Sequence, residues 1–306
     1  MRPVVIGTRG SALAMRQARI VQSQLEAHVP DRAFQLQVIT AQADKNPELL
    51  LVAMGGEGVF VKELERALLD GQIDMAVHSL KDLPLDTPAT LSLAAVLERE
   101  EPRDALIARS GERFEQLPQE ARIGTSSLRR RSQLLHRRRD LQMCDIRGNV
   151  DTRLRKLHEG QYDAIVVAAC GLIRLGLDSH ITELLDLEHM LPEPGQGALA
   201  VEARADDLQT RELLGVLEDP LSRACIEAER AFLRALGGGC RVPIAAYAAS
   251  REGALELQGA VVKADGTAQV RGTLSGAMTE PATLGERLAE QLSTEGAKAL
   301  LETSRR

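Results

Sequence analysis

The stretch IGTRGS at residues 6–11 and its partial copy IGTSSL at residues 123–128 decide the fold predicted for this chain. Each is followed by a helical pattern, so each predicts a strand, a tight loop and a helix. A second pair follows in the same order, GQID at residues 71–74 and GQYD at residues 160–163, and each member leads into an apolar run. The shared order indicates two α/β domains of related plan, with mostly parallel sheets whose strands alternate with helices.

The domain organisation follows from where these patterns break. The periodicity of helices and strands is interrupted near residues 101–103 and again at residues 192–197. Residues 198–203 then predict a strand that could return to the first sheet. From about Pro220 the pattern changes to a helix, three alternating segments and a last helix around residues 284–292, which indicates a small α+β domain. We therefore predict domain 1 at residues 1–99 and 197–217, domain 2 at residues 103–192 and domain 3 at residues 220–306.

Composition limits the class of protein. The chain has 306 residues, of which 44% are hydrophobic, and a formal net charge of −6. Its most apolar later stretch, residues 165–173, is far shorter than the ~20 residues that span a bilayer, and no long apolar segment opens the chain, so we expect a cytoplasmic protein without a membrane partner. The four cysteines form no Cys-x-x-Cys pair and no His-Glu-x-x-His string occurs. Neither a disulfide framework nor a sequence-local metal site is indicated.

Arginine dominates the basic residues. Six of the 38 basic residues are lysines, so 32 are arginines. The planar guanidinium matches carboxylate and phosphate oxygens bidentately and keeps its charge when partly buried. Codon bias is the alternative explanation, and position must decide between the two. Nucleic acid is a poor candidate partner, because the chain is acidic overall, has no tryptophan and contains only 2% aromatic residues.

One group of arginines occupies a predicted helix N-terminus. Small hydroxyl residues including Ser127 precede Arg129 and Arg130 in the segment GTSSLRRR. The helix dipole disfavours cations there, so the arrangement favours a bound anion. Further cations lie near other predicted loop or helix starts, and the run at residues 137–139 is interpreted as a solvated face. The cations near predicted loop or helix starts are Arg9, which lies close to Ser11, and Arg147, Arg153 and Arg174. This set suits a ligand with several carboxylates.

A second chemical group follows a predicted buried strand. The segment VHSLKDLP places Ser79, Lys81 and Asp82 within four positions. Asp82 could act as a general acid and base or stabilise a developing cation, with Lys81 helping to keep it ionised. The alternative is a turn aspartate ahead of a proline. His78 is interpreted as a packed residue at the strand end.

Cys240 ends a run of three glycines and is followed by Arg241. Glycines let the backbone come close to a ligand, and a neighbouring arginine favours the thiolate. The sulfur could therefore be a nucleophile or the attachment point of a covalent group. The alternative is that the glycines cap a helix that ends at Leu236, with Cys240 as a small apolar residue after it.

Five segments together resemble the signatures of one family. They are HSLKDLP at residues 78–84, GTSSLRR at 124–130, RGNV with TRL at 147–150 and 152–154, GQGA at 195–198 and GGGCRVP at 237–243. In this order they are similar to the porphobilinogen deaminase family, also called hydroxymethylbilane synthase. The resemblance implies an α/β protein of three domains, two of them like periplasmic binding proteins around a cleft, plus a small α+β C-terminal domain. It also implies a dipyrromethane cofactor attached through a thioether to Cys240.

The resemblance further implies a transferase of tetrapyrrole, porphyrin and heme biosynthesis. Such an enzyme polymerises four porphobilinogens head to tail on its dipyrromethane primer with release of ammonia, and then hydrolyses off the linear tetrapyrrole. Each porphobilinogen carries an acetate and a propionate, which accounts for the arginines. The resemblance also suggests a monomer.

Roles follow from the resemblance residue by residue. Asp82 matches the catalytic aspartate, which would stabilise cationic intermediates and move protons as ammonia leaves. The residues that would bind cofactor carboxylates are Ser79, Lys81, Ser127, Arg129, Arg130 and Arg153. Those that would meet the incoming substrate are Arg9, Ser11, Arg147 and Arg174.

One segment departs from the family pattern. Glu57 stands in the glycine-rich residues 55–58 where we expect a lysine, and residues 41–44 are also atypical. A glutamate would repel substrate carboxylates, so Glu57 is not assigned to binding. The rival hypothesis is a non-catalytic two-domain binding protein for a carboxylated or phosphorylated small molecule, which needs neither Asp82 nor Cys240.

Overall fold

A computed structural model describes residues 2–39, 61–238 and 242–304. Within this range the chain divides into two compact units. Unit 1 comprises Met1–Glu100 and Ala198–Arg223, and unit 2 comprises Glu101–Gly197 and Ala224–Arg306. The finer division into three domains stays a prediction.

The strands and helices of the described residues alternate through most of the chain. The strands are β1 Val4–Thr8, β2 Phe34–Val38, β3 Met75–Ser79, β4 Leu91–Val96, β5 Asp104–Ala108, β6 Arg122–Gly124, β7 Gln142–Cys144, β8 Ala164–Ala168, β9 Glu183–Leu184, β10 Leu199–Arg204, β11 Ile244–Arg251, β12 Ala254–Val262 and β13 Gln269–Gly276. The helices are α1 Ala12–His28, α2 Lys62–Leu69, α3 Leu128–Arg137, α4 Val150–His158, α5 Ala169–Arg174, α6 Leu208–Leu214, α7 Pro220–Ala235, α8 Pro281–Thr294 and α9 Ala297–Ser304.

Unit 1 is built on a five-stranded sheet in the order β2-β1-β3-β10-β4. β1 runs parallel to β2 and β3, whereas β10 runs antiparallel to β3 and β4. The apolar stripe of α1, with Val21 and Leu25 fully buried, packs with Ile6 and Met75 of the sheet. The strand predicted to return to the first sheet is thus confirmed as β10, and it is the strand that runs against the others.

Unit 2 contains a second five-stranded sheet in the order β7-β6-β8-β5-β9. β6 is parallel to β7 and β8, and β5 is antiparallel to β8 and β9. The pattern of directions matches that of the first sheet position by position. The sheets are therefore mixed, because each includes one strand that runs against the other described strands.

Matching glycines explain the repeated Ile-Gly-Thr segments. A Cβ on Gly7 of β1 would come within 2.3 Å of Ile73, and a Cβ on Gly124 of β6 would come within 3.0 Å of Tyr162. Ile73 and Tyr162 occupy the same place in the second repeated segment. Each glycine thus leaves room for the large side chain that precedes the next strand of its sheet.

Matching aspartates complete the repeat. Asp74 donates its backbone N–H to the Val5 carbonyl, and its carboxylate accepts from the Val5 N–H at 2.8 Å. Asp163 forms the same pair of hydrogen bonds with Arg122, the side-chain bond being 2.9 Å long. Two α/β domains of related plan, predicted from short sequence repeats, are therefore confirmed.

The chain after α7 forms a three-stranded antiparallel sheet in the order β11-β12-β13. Phe232 of α7 and Leu288 of α8 are fully buried against it, and a Cβ on Gly259 of β12 would lie 2.5 Å from the Phe232 ring. The predicted small α+β domain is confirmed. The sequence analysis ended this region with one helix around residues 284–292, which was incomplete, because α9 follows α8 after a break at Gly296.

Candidate active site

The turn that carries Asp82 is anchored by leucines. β3 ends at Ser79, and residues Leu80–Asp82 form a single 3-10 turn. Leu80 is fully buried and donates its N–H to the Ala198 carbonyl at 3.1 Å, while the N–H of the buried Leu83 bonds to the Leu80 carbonyl. Asp82 is exposed. The carboxyl end of a buried strand thus presents this carboxylate at the surface of unit 1.

Ser79 is oriented by a residue that sequence analysis did not select. The side-chain Nε2 of Gln17 donates to the Ser79 Oγ at 2.7 Å. Gln17 lies on the buried face of α1 and is 4% exposed. Since the Ser79 oxygen accepts this bond, its own O–H remains a donor for an anion. The signal in the sequence is the four-residue spacing of Gln17 from Val21, which puts the glutamine on the buried face of the helix.

His78 lies next to a buried carboxylate of β10. Its Nε2 is 2.9 Å from Oε2 of Glu202, and both side chains are almost fully buried. Burial and the nearby charge of Glu202 raise the pKa of Glu65 on α2. The interpretation of His78 as a packed strand-end residue fits its burial, and the pairing with Glu202 was not foreseen.

The predicted anion site in unit 2 lies at the start of α3. Ser127 is the N-cap residue and its Oγ accepts the Arg130 N–H at 3.4 Å. Arg129 and Arg130 follow in the first turn, and both are buried. Their guanidiniums converge on Asp104, the fully buried first residue of β5. Sequence analysis did not select Asp104.

Four donors bind the carboxylate of Asp104. Arg129 Nη1 lies 2.7 Å from Oδ2, while Arg130 Nε and Nη2 lie 3.0 Å and 2.8 Å from Oδ1. The Gln196 Nε2 also donates to Oδ1, at 2.9 Å. Burial alone would raise the pKa of Asp104, but the charges of the two arginines outweigh it and hold the pKa below its ordinary value. Asp104 is therefore ionised at neutral pH.

The charges of this cluster do not balance. Arg129 and Arg130 share the carboxylate of Asp104, and the charge of Glu193 also acts on Arg130. Arg153 adds a third cation, because burial together with the charge of Arg130 lowers the pKa of Arg153 only to about 10. The Nε and Nη2 atoms of Arg129 are buried and have no hydrogen-bond partner among the described residues. Buried cations and buried donors without partners are unfavourable, so an anion bound here would satisfy both.

Arg147 and Arg153 flank the start of α4 in the sequence. Arg153 donates from Nε to the Gly148 carbonyl at 2.9 Å, and Arg147 is exposed in the same turn. Gly148 has a φ of 112°, and a Cβ there would lie 2.6 Å from Thr152. A glycine is therefore required in this turn, whose carbonyl holds the Arg153 side chain.

The remaining substrate candidates lie in different settings. Ser11 is the N-cap of α1 and accepts the Ala14 N–H at 3.2 Å, and Arg9 lies in the loop between β1 and that cap. Arg174 is the last residue of α5, buried, with its Nη2 donating to the Gly197 carbonyl at 2.8 Å. Arg174 thus lies where α5 ends and the following loop starts, in line with its expected place near a loop or helix start.

Several predictions fall on residues 40–60 and 239–241, which are outside the described residues. They concern Cys240, Glu57 and the atypical residues 41–44. Just before Gly239, Gly237 adopts a φ of 65° and Gly238 donates its N–H to the Leu233 carbonyl, which ends α7. A glycine cap of α7 is therefore present whatever the role of the cysteine.

Two further searches cover only the described residues. In that part of the chain, no group of three or more His, Cys, Asp or Glu side chains is placed to hold a metal ion. Its helices are also too short or too polar to cross a membrane.

Comparison with known proteins gives close relatives. The family model described as porphobilinogen deaminase, dipyromethane cofactor binding domain, matches residues 4–212, and that of the porphobilinogen deaminase C-terminal domain matches residues 223–294. The porphobilinogen deaminase of Roseiflexus castenholzii is 50% identical over 97% of this chain and 98% of its own length. That of Pelobacter propionicus is 47% identical over 98% of this chain and 97% of its own. The solved structure of ytmK from Bacillus subtilis, a probable amino-acid ABC transporter extracellular-binding protein, matches 70% of this chain and 89% of its own at 9% identity, with a TM-score of 0.40.

Proposed function

The chain belongs to the porphobilinogen deaminase family, and we propose that the two groups of side chains described above carry out the reaction of that family. The protein is a transferase with a dipyrromethane cofactor, and porphobilinogen is the substrate of its family. This places it in tetrapyrrole and heme biosynthesis, as a synthase of the linear tetrapyrrole hydroxymethylbilane. The rival hypothesis of a non-catalytic binding protein is rejected.

The single observation that supports the residue assignment best is the edge of Arg129 that has no hydrogen-bond partner among the described residues. Its buried Nε and Nη2 atoms lack acceptors, and the surrounding cluster carries excess positive charge. A ligand bearing several carboxylates fits both requirements. We propose that the cofactor carboxylates are held by Ser79, Lys81, Ser127, Arg129, Arg130 and Arg153.

The attachment of the cofactor is proposed at Cys240. The neighbouring arginine favours the thiolate, and the three preceding glycines leave room beside the sulfur. When bound, the dipyrromethane supplies the pyrrole carbon to which each new unit is added. Arg9, Ser11, Arg147 and Arg174 are proposed to bind the carboxylates of the incoming substrate.

Asp82 is proposed as the catalytic carboxylate. It is exposed at the end of a buried strand, on a turn fixed by Leu80 and Leu83. A carboxylate held in place stabilises positive charge that develops as ammonia leaves, and it can accept and return the proton displaced at each addition. By analogy with single oxyanion-hole donors, such a group contributes about 3–4 kcal/mol to the transition state.

The cellular location and the oligomeric state are also proposed. We propose a cytoplasmic monomer that acts on a small molecule and needs neither nucleic acid nor a membrane. The acidic overall charge and the scarcity of aromatic side chains support the absence of a nucleic-acid partner.

Intact mass spectrometry tests the central assignment. Protein expressed with porphobilinogen available should exceed the mass of its chain by one dipyrromethane, and Cys240→Ser should remove that excess. Cys225→Ser is a control, because it also removes a thiol, one that is buried within α7. Folded protein at the bare chain mass, or a Cys240→Ser variant that keeps the excess, would refute the proposal.

A further inference from the structure

Asp104 fixes the plane of the Arg129 guanidinium. Arg129 Nη1 donates both to Asp104 Oδ2 and to the Leu191 carbonyl, each at 2.7 Å. The Leu191 peptide is itself held, because its N–H bonds to the Gln133 Oε1 at 2.9 Å and its carbonyl accepts from the Gln133 Nε2 at 3.0 Å. A planar group held at one nitrogen by two buried acceptors has little freedom to turn.

The two nitrogens of Arg129 that have no partner among the described residues form one edge of that plane. Nε and Nη2 present two parallel N–H groups, which is the fork that binds a carboxylate bidentately. Nη1, the nitrogen used by Asp104, lies away from this edge. The acidic side chain therefore occupies one side of the guanidinium and leaves the other for a ligand.

Asp104 is in turn positioned by the loop before β10. The Gln196 Nε2 donates both to Asp104 Oδ1 at 2.9 Å and to the Pro102 carbonyl at 2.7 Å. Gly195 and Gly197 on either side of it have φ values of 79° and 95°, which a turn of this shape requires. The Gly195 N–H donates to Glu229, a buried carboxylate of α7, at 2.7 Å. These contacts fix the Gln196 side chain as well.

We propose that Asp104 is a positioning residue, which holds Arg129 and Arg130 so that the Nε–Nη2 edge of Arg129 meets a carboxylate of the cofactor. The inference rests on the proposed function, which gives cofactor carboxylates to these arginines. It predicts that Asp104 and Gln196 speed cofactor assembly although neither is assigned a contact with the cofactor.

A role of Asp104 as a counter-charge and a role as a positioning residue predict opposite effects when Asp104 is neutralised. If Asp104 were only a counter-charge, it would compete with the cofactor carboxylates, and Asp104→Asn would strengthen their binding. If Asp104 positions Arg129, the same variant weakens their binding even though the cluster becomes more positive. The sign of the change therefore separates the two roles.

The experiment measures assembly of the holoprotein. Full-length apoprotein is prepared in cells that cannot make porphobilinogen, porphobilinogen is added, and intact mass spectrometry follows the gain of one dipyrromethane per folded molecule. We expect Asp104→Asn to slow this gain by about tenfold or more, the scale on which loss of an orienting partner weakens a bound site. Arg129→Lys, which keeps the charge but loses the fork, should slow it similarly, and the double variant should be no slower than the slower single variant.

Asp163→Asn is the matched control. Asp163 also accepts from two arginines, Arg109 and Arg122, at 3.2 Å and 3.3 Å, but it belongs to the repeat described above and not to the anion cluster. It should lower stability without slowing assembly per folded molecule. If Asp104→Asn does not fold, Gln196→Leu removes one contact to Asp104 without changing charge and should slow assembly in the same direction.

Each outcome decides the matter. Unchanged or faster assembly in Asp104→Asn, or losses of Asp104→Asn and Arg129→Lys that multiply in the double variant, would overturn the positioning role alone. If Asp104→Asn does not fold, an unchanged rate of assembly in Gln196→Leu would overturn the positioning role. A wild-type protein that never gains the dipyrromethane mass would overturn the proposed function together with this inference.

Discussion

Replacing Gln17 by leucine should disturb Ser79 without mutating any residue that is assigned to the cofactor. The hydrogen bond from Gln17 Nε2 to Ser79 Oγ is 2.7 Å long and joins two neutral groups. Such a bond contributes about 1 kcal/mol, and more when its loss leaves a buried group unsatisfied. Ser79 is half-buried, so water can replace the lost partner of its hydroxyl. The variant replaces the Gln17 amide with an apolar side chain of similar size, so no buried polar group is left at position 17. We therefore expect a loss of about 1 kcal/mol in the free energy of unfolding, at the lower end of the range.

The functional effect is tested with a double-mutant cycle. Gln17→Leu and Ser79→Ala are made singly and together, and the rate of cofactor assembly is measured for each. If Gln17 acts by orienting the Ser79 hydroxyl, the loss in the double variant should equal that of Ser79→Ala alone, with a coupling of about 1 kcal/mol or about fivefold in rate. Losses that simply multiply would show that Gln17 acts independently of Ser79, and the reasoning would fail.

Three further predictions concern the catalytic carboxylate, the buried acid and the third sheet. Asp82→Asn should keep its fold and bound dipyrromethane but lose about 10²–10³-fold in kcat, and near-normal turnover would refute the role. The lowered pKa of Asp104 means that its contribution to stability is present above the ordinary aspartate pKa of about 4 and is lost as pH falls toward the lower folded value. Urea midpoints of Asp104→Asn should therefore fall less steeply with acid than those of the wild type, and equal slopes would contradict this. Gly259→Ala places a Cβ 2.5 Å from Phe232 and should cost about 1–3 kcal/mol in unfolding experiments, whereas Gly215→Ala, with no atom within 4 Å of its Cβ, should be near neutral; equal effects would contradict the packing argument.

The repeated features of the fold were predictable because they depend on local sequence. Gly7 and Gly124 sit in matching strand ends, and each repeat pairs its glycine with a residue shortly before a buried strand. Apolar runs and glycine stops fix such elements over a few residues. The short helix α9 was missed because only two residues, one of them Gly296, separate it from α8. Its sequence therefore looks like a continuation of the helical pattern of α8.

The chemistry of the site was only partly predictable for a different reason. The family motifs contain Asp82, Arg129 and Arg130, so a resemblance finds them. Asp104 is separated from Arg129 by 25 residues and from Gln196 by 92. In the sequence, Asp104 is a single acid at the start of an apolar strand. Its partners Arg129 and Gln196 cannot be identified without the tertiary structure. Pairings of this kind depend on tertiary contacts, which one sequence does not reveal.

The position of β10 has a consequence for synthesis on the ribosome. This strand fills the place between β3 and β4, yet it begins at Leu199, roughly 100 residues after β4 ends at Val96. At the usual rate of translation, synthesis of residues 101–197 takes about 5–20 s. During that time the edges of β3 and β4 that pair with β10 are exposed. Nascent chains released before Leu199 should therefore be prone to aggregate and to need a chaperone, even though most of unit 1 has already been made.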